Sequence, residues 1–158
     1  MRPTFATRPG PRPEATLQTP HKQVDQQPAD ARFCDAIIDA ALTWSHVGTG
    51  PSGISVEGAR ALMLNANGPS GPEDSYLVGR EFAHVHAGGD FSLHATLRVA
   101  LATAAIGAGW AEQHVLVQSG QVPPTVVMLY APRDDEETTV ILRLVRASYE
   151  FASGQAQV

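Results

Sequence analysis

The chain has one cysteine, Cys34, so no internal disulfide can form, which fits a reducing compartment and a cytoplasmic protein. It has no apolar run of membrane-spanning length. Its start, Met1-Arg2-Pro3-Thr4-Phe5, has no apolar core of the kind a secretory signal needs. A soluble protein without a membrane partner is expected. Positive charge is scarce as well: from Ala31 onward seven Lys or Arg face thirteen Asp or Glu. That balance excludes nucleic acid as a natural partner, because phosphate neutralisation needs a basic surface. There is no long repeat and no glycine fingerprint for phosphate. No Glu or Cys stands at the spacing of a metalloprotease helix or a zinc finger.

Residues 1 to 30 hold six of the twelve prolines and show no apolar periodicity, so they are expected to be a disordered tail. A single domain over 31–153 should follow. Phe33, Ile37, Ile38, Ala41 and Trp44 recur at helical spacing after Asp30, predicting a helix from about Ala31 to Trp44 with Cys34 in its apolar pattern. Gly48, Gly50, Pro51 and Gly53 read as a break. Ile54–Glu57 and Ala61–Leu64 then read as short strands, and a longer strand is expected from Tyr76 to His86. Leu101, Ala104, Ala105 and Ala108 mark a short helix ended by Gly109. Thr125–Tyr130 is apolar enough for a central strand. Asp134, Asp135, Glu136 and Glu137 suit the positive end of a last helix, whose inner face carries Val140, Ile141, Leu144, Val145, Ser148 and Phe151. The order predicts an α+β fold, an antiparallel sheet with helices packed on one face. Its open face is left for a ligand.

The segment from Arg80 to His94 puts His84, His86 and His94 on either side of a glycine turn. On a strand His84 and His86 share a face, but His94 joins them only in one class of register. An even turn such as Ala87–Asp90 sends His94 to the other side. An odd one, of three or five residues, gathers Ala83, Val85, Phe91, Leu93 and Ala95 on one face, and His84, His86, Ser92, His94 and Thr96 on the other. A one-residue slip inverts a face, and only the odd registers are cleanly amphipathic. A lone histidine on a strand is ordinarily a half-buried polar residue. Three converging imidazoles are a candidate site, able to accept protons near neutral pH or to ligate a metal ion through His84, His86 and His94.

Several blocks stand in a telling order. They are Gly79-Arg80-Glu81-Phe82-Ala83-His84-Val85-His86, Ser92-Leu93-His94, Gly109-Trp110-Ala111-Glu112-Gln113-His114, Leu129-Tyr130-Ala131-Pro132-Arg133-Asp134-Asp135-Glu136-Glu137 and Val145-Arg146-Ala147-Ser148. Together they resemble the luciferase-like domain family, the domain of fungal luciferases and of many bacterial and fungal proteins. The luminous fungal members oxidise 3-hydroxyhispidin, a hydroxylated α-pyrone, with molecular oxygen, releasing carbon dioxide and light. The resemblance implies an oxygenase of an enol or pyrone, with oxygen as co-substrate and no cofactor required. It implies His84, His86, His94 and His114 as catalytic residues, and Trp110, Tyr130 and Arg133 as residues that bind a small aromatic or pyrone substrate. His114 departs from the family's pattern, lying between Gln113 and Val115 where Arg and Pro are usual. A noncatalytic domain that binds a small ligand or a partner on the same sheet face is the competing reading.

Overall fold

Phe33, Cys34, Ile37, Ile38 and Ala41 form the buried face of α1, Arg32–Ala41. They pack on α3, Asp135–Ala152, which buries Ile141, Leu144, Val145, Tyr149 and Phe151. Asp134 caps α3, its carboxylate accepting from the Glu137 backbone N–H at 2.8 Å, and three acidic residues follow in the first turn. The acidic run thus serves the helix start, where side-chain oxygens take up orphan N–H groups and negative charge opposes the macrodipole. The structure is a computed structural model and describes residues 3–155.

Six strands form one antiparallel sheet in the order β1-β2-β3-β4-β6-β5. They are β1 (Val47–Pro51), β2 (Arg60–Leu64), β3 (Glu81–Val85), β4 (Leu93–Thr96), β5 (Ala111–Gln113) and β6 (Val126–Leu129). The short helix α2, Val99–Gly107, links β4 to β5 and lies against β5. Leu62, Ala83, Val85, Leu93, Ala95, Val127 and Leu129 belong to the core shared with α1 and α3. This is the expected α+β architecture with helices on one face.

The hairpin of β3 and β4 pairs His84 with His94, Val85 with Leu93 and Ala83 with Ala95. That is an odd register with a five-residue loop, Ala87 to Phe91, closed by His86 N–H donating to the Ser92 carbonyl at 2.8 Å. Thr96 departs from the expected polar face, its hydroxyl donating to the Ser75 carbonyl and lying 3.2 Å from Ser148 of α3. Between β2 and β3 the register shifts: Leu62 pairs with Ala83 and Met63 with Glu81, so Phe82 is an extra residue. A bulge takes one residue out of the ladder and changes which side its neighbours face. Phe82 turns to the helices, its ring 6.1 Å from that of Tyr149, and its carbonyl accepts from Ser148 of α3 at 3.1 Å.

Three expectations differ from the structure. The strand near residue 50 is Val47–Pro51, whereas Ile54–Glu57 is a loop and turn. β1 pairs only with β2, and an edge strand tolerates Gly48, Gly50 and a terminal Pro51. Strand β3 is shorter than expected because the chain makes a tight turn before it, with Leu77 N–H donating to the Glu81 carbonyl and Glu81 N–H to the Val78 carbonyl around Gly79, and β5 is too short to show a period. The largest correction concerns residues 3–30, expected to be a disordered tail. Arg8, His21 and Gln23 are buried there. The segment is fixed by side chains bonded to backbone and not by periodic apolar contacts. Gln23 Oε1 accepts from Ala131 N–H at 2.9 Å, Trp110 Nε1 donates to the Ala6 carbonyl at 2.7 Å, and Arg12 donates to the Ala111 carbonyl at 2.8 Å. Removing residues 1–27 is therefore expected to lower the melting temperature by several degrees, at about 2–4 °C per kcal/mol for a chain of this size. A thermal melt of the truncated chain checks this, and an unchanged midpoint would contradict the packing.

Candidate functional site

The row of directly paired residues across the middle of the sheet reads Gly50, Ala61, His84, His94, Met128 and Glu112. Paired residues share a face, so His84 and His94 stand side by side, with Glu112 beyond Met128, on the surface turned away from α1 and α3. His86 adds a third imidazole from the end of β3. The segment before α1 crosses this face and lowers His21 onto it, and His114 closes the far side just after β5. Ring centroids lie 5.0 Å apart for His84 and His94, 5.3 Å for His86 and His94, 5.3 Å for His21 and His94, and 5.6 Å for His94 and His114. His94 is thus the centre of five histidines.

Three of the five are backed by a carboxylate. Glu81 Oε2 lies 2.8 Å from His84 Nδ1, Asp90 Oδ2 lies 2.8 Å from His86 Nδ1, and Glu112 Oε2 lies 2.9 Å from His21 Nε2. The Phe82 bulge makes the first pair, since residues three apart on a regular strand face opposite ways. Burial alone would raise these carboxyls. Hydrogen bonds outweigh it, and hold each below its usual range: His84, Gly53 N–H and Ser52 on Glu81; His86 and Ser92 on Asp90; His21 and Tyr130 on Glu112. An ionised carboxylate only accepts, so in the neutral ring the facing nitrogen carries the proton. Lone pairs then remain on His84 Nε2, His86 Nε2 and His21 Nδ1.

His94 and His114 differ. Burial, followed by the neighbouring imidazoles, pushes His94 well below the ordinary histidine range, and neither of its ring nitrogens has a hydrogen-bond partner among the described residues. An unmet buried polar group costs about 1–3 kcal/mol, so this ring is poised for something the protein itself does not supply. His114 is lowered to about 4, again by burial first and then by His21 and His84. Its Nδ1 accepts from Leu116 N–H at 3.1 Å, so the neutral ring carries its proton on Nε2 and is a donor there.

The histidines floor a cavity of about 400 Å³, a size usual for small-molecule sites. Its walls are largely apolar: Ile54 and Val56 from the loop after β1, with Leu77, Leu116, Val122 and Val126. No Arg or Lys lines it among the described residues. The loop wall is tied to the floor through Glu81, which accepts from Ser52 Oγ at 2.7 Å and Gly53 N–H at 2.9 Å. Two groups, His84 with His86 and His94, and His21 with His94 and His114, are placed so that they could hold a metal ion.

The structure therefore brings His84, His86, His94 and His114 together as the sequence suggested, and adds His21, Glu81, Asp90 and Glu112. His21 was missed because it lies in the proline-rich segment read as a tail, and no local signal marks it. The three expected substrate-binding residues stand elsewhere. Tyr130 donates to Glu112 Oε1 at 2.8 Å and so reaches the floor only through the carboxylate that holds His21. Trp110 is in the core, bonded to Ala6. Arg133 is engaged by Glu137, with Nη2 2.6 Å from Oε2, and also donates to the Pro9 carbonyl, which joins α3 to the N-terminal segment. Neither Trp110 nor Arg133 touches the cavity.

Residues 79–148 match the family model of the luciferase domain. The resemblance read from the sequence is shown over this segment. A stretch of 74 residues, 46% of the chain, is 36% identical to a luciferase of Armillaria gallica and 39% identical to one of Neonothopanus nambi. The same stretch spans 28% of the length of each of those proteins. No solved structure matches the chain. His84, His86, His94, His114 and all three carboxylates lie inside 79–148, whereas His21 does not. None of the helices among the described residues is long and apolar enough to cross a membrane.

The Arg133 and Glu137 pair has a pH signature. Burial alone would raise the Glu137 carboxyl, but hydrogen bonds and charge from Arg133 outweigh it and hold it below the ordinary glutamate value. A depressed carboxyl stabilises the fold at pH above its unfolded value, near 4.3, and loses that contribution as pH falls through the lower folded value. Glu137→Gln should cost roughly 1–3 kcal/mol at pH 7, the worth of hydrogen bonds to charged groups. The difference from the parent protein should shrink towards pH 3, as urea unfolding at the two pH values will show.

Proposed function

We propose that the chain oxidises an electron-rich enol, a hydroxylated α-pyrone of the 3-hydroxyhispidin type, with molecular oxygen as co-substrate. The observation that carries this reading is the carboxylate-backed histidine floor beneath apolar walls, with His84, His86, His94, His114 and the three carboxylates inside the segment similar to fungal luciferases. A flat conjugated ring suits Ile54, Val56, Leu116 and Val126 as walls, and its polar edge suits the imidazoles.

In this reading His21 Nδ1 takes the enol proton. Glu112 sets the tautomer and steadies the charge that forms on the ring, as the carboxylate of a His-carboxylate pair does elsewhere. Tyr130 positions Glu112. His114 Nε2–H donates to the oxygen that becomes negative, in a cavity whose walls are largely apolar, where such a bond is stronger than in bulk water. His84, His86 and His94 present the floor on which the deprotonated substrate rests and meets oxygen. Oxygen is the only co-substrate this scheme needs. Light emission is a property of the luminous relatives and no part of the chemistry assigned here.

Purified protein is expected to consume oxygen with 3-hydroxyhispidin or a related hydroxypyrone. His21→Ala should reduce turnover by about two to four orders of magnitude, the span of a lost base, and His114→Ala by about two to three, the cost of one lost donor to a developing oxyanion. Circular dichroism of each variant separates lost chemistry from lost fold. Pyrone binding without oxygen uptake, across a panel of such compounds, would replace the enzyme by the noncatalytic ligand-binding domain.

A further inference from the structure

We propose that His84, His86 and His94 bind one divalent transition-metal ion, with open coordination positions facing the cavity. The proposal stands on the imidazole geometry and does not depend on the reaction assigned above.

One nitrogen from each ring lies within 4.8 Å of the others. Three ligands at about 2.0–2.1 Å from a tetrahedral ion stand about 3.4 Å apart, so small pivots of the rings close the site. His84 and His86 already have the required tautomer: each Nδ1 is held by a carboxylate and each Nε2 keeps its lone pair. Carboxylates bonded to the far nitrogen are what metal-ligating histidines ordinarily have behind them. His94 supplies an independent observation. It is 3% exposed, and both ring nitrogens are without a partner among the described residues, so the protein has buried a lone pair and left it unused.

The alternative group, His21 with His94 and His114, is disfavoured by its own hydrogen bonds. His114 Nδ1 accepts from Leu116 N–H, so its neutral Nε2 carries a proton and has no lone pair to give. Charge points the same way. Glu81 and Asp90 stand behind the floor, no Arg or Lys lines the cavity among the described residues, and Lys22 meets Asp90 only at 4.0 Å from outside. A bound cation would restore the balance and hold an anionic substrate edge. Neutral imidazoles alone favour Zn, Cu, Ni, Co or Fe(II) over Mg or Ca.

The test is titration of tag-free, chelator-treated protein with Co(II), followed by visible absorption, with Zn(II) as competitor and elemental analysis of the washed complex. One ion per chain is expected, abolished by His94→Ala or His84→Ala. Asp90→Asn and Glu81→Gln keep all three ligands and should weaken binding 10- to 100-fold, which keeps the test decisive if a histidine variant does not fold. His21→Ala should leave the stoichiometry intact. Absence of one-to-one binding by the folded protein would overturn the proposal. So would binding that survives His94→Ala, affinity unchanged in both carboxylate variants, or binding lost in His21→Ala but kept in His84→Ala.

Discussion

The loop between β3 and β4 holds an odd number of residues, and the site hangs on that parity. With five residues in the loop, His84 and His94 become direct partners, while Val85, Leu93, Ala83 and Ala95 turn together to the helices. One residue more or fewer would bury an imidazole among α1 and α3 and expose aliphatic chains in its place. A second irregularity completes the first. The bulge at Phe82 brings Glu81 onto the histidine face, and Ser148 takes up the Phe82 carbonyl. α3 thereby does more than cover the core: it steadies the bend that supplies His84 with its carboxylate.

A sheet face bearing four imidazoles and three carboxylates cannot be covered by an ordinary apolar layer without stranding polar groups. The N-terminal segment solves this with no helix and only an isolated antiparallel bridge between Ala15 and Gln23. Gln23 serves as a small substitute for a strand: its backbone N–H donates to Ser92 Oγ, its side-chain oxygen accepts from Ala131 N–H, and its side-chain amide donates to the carbonyls of Asp25 and Gln26. Ser92 in turn donates to Asp90, the carboxylate behind His86. The cover and the floor are one hydrogen-bond network, and such networks stabilise a single arrangement when every member is satisfied. His94 has no partner at either ring nitrogen among the described residues, and His21 beside it keeps an unpartnered Nδ1.

Legibility followed periodicity. The alternation around His84, His86 and His94, the apolar run ending at Tyr130 and the helical spacing of α1 and α3 each express a simple period, and each appears in the structure. Features resting on one residue or on distant partners were hidden. Three of the five residues of β1 are glycine or proline, β5 is three residues long, and the bulge at Phe82 leaves no mark in a pattern of two. His21 meets Glu112 across ninety-one positions of sequence. Arg133 shows the opposite error: an arginine in a quoted block read as a substrate clamp, whereas four residues on stands Glu137, the i,i+4 partner that a helix start offers it.

The division between floor and walls bears on how far likeness to fungal luciferases reaches. The floor residues from Glu81 to His114 lie within the matched segment. The walls do so only in part: Leu116, Val122 and Val126 lie inside it, whereas Thr19, Pro20 and His21 come from the N-terminal segment, and Ile54, Ser55 and Val56 from the loop after β1, all outside residues 79–148. The matched stretch is 28% of the relatives' own length, so most of each relative lies outside the comparison. Wall residues set which ring fits and at what angle its polar edge meets the imidazoles, and displacement by 1 Å at a reacting centre is felt strongly. The proposed reaction therefore rests partly on residues inside the matched segment, and the fit of its substrate partly on residues outside it, His21, Ile54 and Val56 among them.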